Sequence, residues 1–244
     1  NAKSSTAQTK NASSSMYFDG TDDLISLNNK EHMPSGDLDL GEKDWGLSMW
    51  VRPDNTNSGE RVIIHQGDKG SNGWGLVQSG TSLLYYTGGG GSDISISSVF
   101  SAGTWVHIAL DKTNNPYYGN TGTTGTYGTS ASTDAITTIW VNGNSNDYNT
   151  TSGYASGANT RLEIGGSTNP TGGWGSVTGF VGYLEDIKFV QKHNRNRARL
   201  QAPFIISRNS STTDSNTFLL CAHASAYNTV HGDWTVTNAG TAPT

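Results

Sequence analysis

Apolar and polar residues alternate at a period of two through most of this chain, in runs too short for helices and broken by glycine-rich turns. The clearest run is Phe180 to Val190, where Tyr183, Glu185, Ile187 and Phe189 alternate with Leu184, Asp186, Lys188 and Val190. It reads as a central strand buried on at least one side, with Gly182 permitting close backbone approach. Its acidic pair is unusual there, because carboxylates are seldom buried without a partner. Other strands are expected at Tyr17 to Phe18, Leu24 to Leu27, Trp45 to Val51, Arg61 to Gln66, Gly73 to Gln78, Ser82 to Thr87, Asp93 to Phe100, Thr104 to Leu110, Ile136 to Asn142 and Arg161 to Gly165. Phe204 to Ile206, Thr217 to Ala222 and Trp234 to Thr237 complete the set.

The turns agree with this reading. Asp19-Gly20 separates two strands, Pro53 stops another, and Gly67-Asp68-Lys69-Gly70 suits a hairpin. Lys112 to Thr133 has no periodicity and is long for a β connection, as functional or mobile loops are. Gln191 to Gln201 is the one basic run and the one plausible helical turn; the bland reading is a solvated surface stretch. About a dozen strands argue for an all-β fold of two packed antiparallel sheets, a jelly-roll sandwich. Residues 1–15 are almost devoid of apolar side chains and are expected to form an extended arm. The sandwich is expected over 16–200, and 201–244 as a strand-forming extension packed on the same domain or on a neighbouring subunit.

Composition narrows the function. Of 244 residues only 14% are charged, and the net charge of −5 with a pI near 5.6 gives no basic face for nucleic acid. No apolar run approaches the ~20 residues of a membrane-spanning helix. Cys221 is a lone cysteine with apolar neighbours, expected to be a buried small hydrophobe. The chain opens at Asn1 with no signal peptide, as a processed product or a fragment would.

A set of ordered motifs then suggests a family. Tyr17-Phe18-Asp19-Gly20, Trp45-Gly46-Leu47-Ser48-Met49-Trp50-Val51-Arg52-Pro53 and Gly103-Thr104-Trp105-Val106-His107-Ile108-Ala109-Leu110 come first. Ile139-Trp140-Val141-Asn142-Gly143, Leu162-Glu163-Ile164-Gly165-Gly166 and Gly182-Tyr183-Leu184-Glu185-Asp186-Ile187 follow. In this order they resemble the laminin-G-like branch of the concanavalin-A-type lectins and glucanases. The resemblance implies a concave and a convex sheet with loops at the rim. More loosely, Asp214 to His223 and Gly232 to Asn238 resemble segments flanking this domain in structural proteins of tailed bacteriophages, especially those of marine cyanobacteria.

Glucanases on such a fold place two carboxylates on one strand face. Asp37 to Glu42 and Glu185-Asp186 are the nearest candidates. The first lies in a loop without its leading Glu, and strict alternation sends the second pair to opposite faces, so no catalytic residue is expected. His65, His107 and His223 accompany no nucleophile motif. A structural calcium ion is the better chemical expectation, since hard cations take carboxylate and carbonyl oxygens. The resemblance puts such sites at turns near the first and last strands and so recruits Asp19, Asp22, Asp23 and Asp186; alternatively these acids only cap turns. Sugar stacking would fall to Trp74, Tyr85, Tyr86 and Trp174, which lie in or beside glycine-rich loops, Trp174 as an exposed indole. Trp45, Trp50, Trp105 and Trp140 are expected in the core.

These readings converge on a non-enzymatic virion structural protein, a capsid decoration or a tail or fibre component. Its partners would be itself or other virion proteins through terminal arms, together with surface glycans. A secreted or cell-surface carbohydrate-binding module with a structural calcium is the alternative, and a glucanase-like hydrolase a distant third. Both leading readings place the protein outside the cell or on the particle.

Overall fold

In a computed structural model of the chain, the described residues are 3–10, 14–27, 44–69, 73–87, 92–114, 134–152, 162–168, 174, 177–192, 217–221 and 236–239. They form two eight-stranded sheets. Sheet A runs β1 (Lys3–Ser5), β2 (Ser15–Asp19), β14 (Val181–Lys192), β4 (Asp44–Pro53), β9 (Val106–Asn114), β10 (Asp134–Val141), β11 (Asn144–Ser152). Beside β14, beyond the end of β2, lies β15 (Thr217–Cys221). Sheet B runs β16 (Val236–Ala239), β3 (Leu24–Leu27), β12 (Leu162–Ile164), β5 (Glu60–Gln66), β6 (Trp74–Ser79), β7 (Ser82–Thr87), β8 (Ser92–Ile96). The two-residue β13 (Thr178–Gly179) pairs with β5 in parallel, and every other pairing is antiparallel.

The alternation works as the sequence predicts. Trp45, Leu47, Met49 and Val51 of β4, with Val106, Ile108 and Leu110 of β9, meet Ile64, Trp74, Leu76, Leu83 and Tyr85 from sheet B in one apolar core. The intervening residues therefore occupy outer faces. At Gly182 a Cβ would sit 2.2 Å from the Arg52 carbonyl oxygen, so the close approach of β14 to β4 requires glycine.

In β14 the alternation slips. Glu185 pairs with Trp50 and Lys188 with Ser48, three steps against two, and Asp186 has φ 55°. This β-bulge lets Leu184 and Ile187 both reach the core, three residues apart. Strict alternation would have sent the two acids to opposite faces; instead the extra residue leaves both between consecutive core residues, and neither enters the core. A second departure is β11, whose one aromatic residue, Tyr148, makes no apolar period to announce it. It exists because Asn142 and Gly143, at φ 50° and 84°, turn the chain back onto β10.

The C-terminal strands pair within the chain, β15 with β14 and β16 with β3. The expected strand Phe204 to Ile206, the basic run from 193 onward, the glycines 88–91, the loop 115–133 and the side chain of Cys221 lie outside the described residues. No described helix is long and apolar enough to cross a membrane.

Candidate functional site

Of the residues expected to act, Asp19, Asp22 and Asp23 are brought together. They close the turn between β2 and β3, at one rim of the sandwich. Asp19 Oδ1 accepts the Thr21 N–H at 2.8 Å, and Asp23 Oδ2 accepts the Asp19 N–H at 2.9 Å. Those bonds are the turn-capping that Asp favours, and they gather the carboxylates: oxygens of all three lie within 4.8 Å of one another. Asp19 and Asp22 are exposed, whereas Asp23 is buried at the base. The turn borders an open pocket of about 460 Å³ whose far wall is formed by Gly166, Ser167 and Thr168 after β12 and by Val177, Thr178 and Gly179 around β13. An all-oxygen donor set of this kind fits a hard cation such as Ca²⁺, water and backbone carbonyls completing the shell.

Asp186 is not part of this cluster. Val181 is the ladder partner of Asp19, and Asp186 lies five residues further along β14, about 15 Å away at strand spacing. The bulge carries it toward His107 instead. Burial pushes the His107 imidazole down to about 4, the nearby Asp186 charge opposing this only in part, so the ring is neutral at pH 7. This outer-face row of sheet A is Glu185, Trp50 and His107, in ladder register across β14, β4 and β9. Trp50 meets His107 edge-on at 5.1 Å between centroids. All are buried, with 0% exposure for Glu185, 4% for Asp186, 7% for His107 and 9% for Trp50. Segment 3–10 crosses this face, the Lys10 N–H donating to Glu185 Oε2 at 2.6 Å.

The aromatic residues expected to stack on sugars are interior. Trp74, Tyr85 and Trp174 are 0% exposed and Tyr86 is 5% exposed. The reason lies in their phase: Trp74 and Tyr85 alternate into the main core, whereas Tyr86 alternates to the outer face of sheet B. There Trp174 is an apolar plug rather than an exposed indole. It packs with Val62, Val77, Tyr86 and Val177, stacks on His65 at 4.8 Å and donates its Nε1–H to the Gly67 carbonyl at 2.7 Å. Gly75 makes room for it, since a Cβ there would meet the indole at 2.4 Å. Under the plug, Glu163 meets His65 Nε2 at 3.1 Å and accepts both the N–H and the hydroxyl of Thr168. Burial works to raise the Glu163 carboxyl, but the bonds from His65 and Thr168 prevail and hold it below the ordinary carboxylate range. Thr168 thus ties this buried pair to the wall of the rim pocket.

The expected core tryptophans divide as well. Trp45 is in the core, Trp50 is buried on the opposite face of its strand, and Trp105 and Trp140 are half-exposed. Sequence reasoning missed the row of sheet A, although its signal was present: if Leu47, Met49 and Val51 face inward, Trp50 cannot.

Two antiparallel sheets around one core, with a polar pocket and an acidic turn at the rim, define a lectin-like β-sandwich. The chain belongs to the concanavalin A-like lectin/glucanases superfamily, whose laminin-G-type model matches residues 19–195. No curated protein matches the sequence. Among solved structures, domain 4 of an extracellular GH43 arabinanase from Geobacillus stearothermophilus, in complex with arabinotriose, is similar in fold. The TM-score is 0.50 at 13% identity, covering 78% of this chain and 75% of that one. A candidate carbohydrate-binding protein from Bacteroides ovatus is similar at TM-score 0.50 and 14% identity, over 90% of this chain and 61% of that one.

Proposed function

We propose that this chain is a non-enzymatic glycan-recognition and structural protein, taking a polyhydroxylated sugar at the rim pocket beside Asp19, Asp22 and Asp23. The observation that carries this is the pocket itself. It is open, of ligand size, and walled by Thr21, Ser167, Thr168 and Thr178 together with carboxylates. Hydroxyl and carboxylate groups so placed suit the alternating donors and acceptors of a sugar edge. Calcium held by the three aspartates would rigidify the turn and offer open coordination positions to vicinal hydroxyls. Non-catalytic action is supported by Glu185 and Asp186: both are buried on the outer face of sheet A, and Glu185 already accepts a backbone N–H of the arm.

We place the protein on a virus particle, as a capsid decoration or a tail or fibre component whose terminal segments contact neighbouring subunits. The resemblance of 214–223 and 232–238 to phage structural proteins supports this. The second reading, a secreted or cell-surface carbohydrate-binding module, is favoured by the similar arabinanase domain, whose structure is in complex with arabinotriose. A glycan array with the purified chain, in Ca²⁺ and in EDTA, tests recognition; light scattering on the size-exclusion eluate separates the two placements. We expect Ca²⁺-dependent binding of a defined glycan set and a multi-subunit particle. An array with no bound glycan in either condition would overturn the rim-pocket reading, and a 25.9 kDa monomer would favour the secreted module.

A further inference from the structure

Glu185, Trp50, His107 and Asp186 present an indole, an imidazole and two carboxylates on the outer face of a sheet, and all four are buried. Such a face is stable only when something covers it and satisfies its polar atoms. The chain's own segment 3–10 does part of this. β1 pairs with β2 through Lys3↔Tyr17, Ser4↔Met16 and Ser5↔Ser15, and the Ser15 hydroxyl donates to the Gln8 carbonyl at 2.5 Å. At the end of the segment the Lys10 N–H donates to Glu185 Oε2, and the Lys10 ammonium stands 5.4 Å from the centroid of the Trp50 ring. An aromatic face beside buried carboxylates is the chemistry of cation recognition. His107 adds a buried Nδ1 that has no hydrogen-bond partner.

We infer that this row is a socket for an extended, lysine-bearing strand, and that the occupant exchanges between copies, the 3–10 segment of one subunit filling the row of another. The segment reads Lys-Ser-Ser-Thr-Ala-Gln-Thr-Lys, and its one apolar side chain, Ala7, is exposed. It therefore contributes no core to its own domain and is held by polar contacts, among them the pairing of β1 with β2, the Ser15 bond to Gln8, the bond to Glu185 and the cation–π contact with Trp50. Every one of those contacts can be made identically by the arm of a second copy, so cis and trans occupancy differ in effective concentration rather than in contact energy. Raising the local concentration, as on an assembled particle, shifts the socket toward the neighbour's arm. This inference deepens the reading of the terminal segments as subunit contacts and is independent of glycan binding at the rim.

The test uses the full chain and a fluorescent peptide of residues 1–15. Anisotropy is expected to show saturable peptide binding. Lys10→Ala in the peptide is expected to weaken binding about fivefold, the loss of one cation–π contact; the same substitution in the chain is expected to strengthen it, because the competing arm is weakened. Sedimentation of the unmodified chain is expected to show concentration-dependent self-association that an excess of the free peptide reduces. Absence of saturable peptide binding overturns the proposal, as does peptide binding to a chain that stays monomeric at every concentration. Because neither readout involves a sugar, failure here leaves the glycan array result untouched, and the reverse also holds.

Discussion

The outer faces of the two sheets carry the same three kinds of side chain, an indole, an imidazole and carboxylates, and cover them in opposite ways. On sheet B the indole comes from outside the sheet: Trp174 stacks on His65 over Glu163, within an apolar cluster, with Gly75 cleared to receive it. On sheet A the indole belongs to the sheet, and the cover reaching it is a polar segment whose Lys10 contributes a backbone bond to Glu185 and a cation–π contact with Trp50. An apolar plug contributes its burial to the fold and leaves only when the fold does. A polar strap contributes little and can be replaced by an equivalent strap. The contrast separates a structural lid from an interaction surface, although their chemical inventories match.

The sharpest way to break this contrast is to remove the plug. Trp174→Ala should destabilise the fold by about 3–5 kcal/mol, the cost of deleting a large buried aromatic. Urea denaturation would show it as a large fall in midpoint at unchanged slope. A change below about 1 kcal/mol would mean that the indole is not a plug.

Acid distinguishes the two outer faces through His107 on one and Glu163 on the other. In the folded chain His107 is held down to about 4 from an ordinary 6.5, so the unfolded chain takes up its proton first as pH falls. The associated stability is present above about pH 6.5 and is lost as pH drops toward 4, by about 3 kcal/mol in all. Glu163 has its carboxyl lowered, so its contribution is complete above the ordinary carboxylate value and is lost as pH falls from there through the lowered folded value. Stability measured between pH 7 and 4.5 should therefore decline mainly through His107, and His107→Gln should flatten the curve. A slope unaffected by that substitution would remove the buried neutral imidazole from the account.

Smaller effects belong to the rim and the strap. Asp22 is exposed, so Asp22→Ala should leave the urea midpoint within about 0.5 kcal/mol while weakening Ca²⁺ roughly tenfold, about 1.4 kcal/mol, by calorimetry. Lys10→Ala should cost the monomer at most about 1 kcal/mol, the worth of an exposed cation–π contact. A larger loss would make the arm part of the core rather than a strap.

What could be read from the sequence follows from the same contrast. Alternation was sufficient for the sandwich, since each inward triplet such as Leu47, Met49 and Val51 fixes the register of its strand. The acidic turn was legible because Asp-Gly followed by two aspartates is a local signal, complete within five residues. For the stacking residues a glycine-rich neighbourhood does not mean exposure: Gly75 is small so that Trp174 can be buried against it. The resemblance names the last strand but not the position along it, and Asp186 lies five residues along β14 from the ladder partner of Asp19; the bulge that turns Glu185 and Asp186 off strict alternation leaves no mark in composition. The row of sheet A joins β14, β4 and β9 with a segment some 175 residues away in sequence, and no local pattern reports such a meeting.

The account rests on recognition at the rim turn rather than on aromatic rings or a sheet face. The most direct test is equilibrium binding, in Ca²⁺, of a glycan selected on the array to Asp22→Ala and to Trp50→Phe. Loss of binding in Asp22→Ala with retention in Trp50→Phe is the predicted result. Retention in Asp22→Ala with loss in Trp50→Phe would move the sugar to the outer face of sheet A and contradict the account.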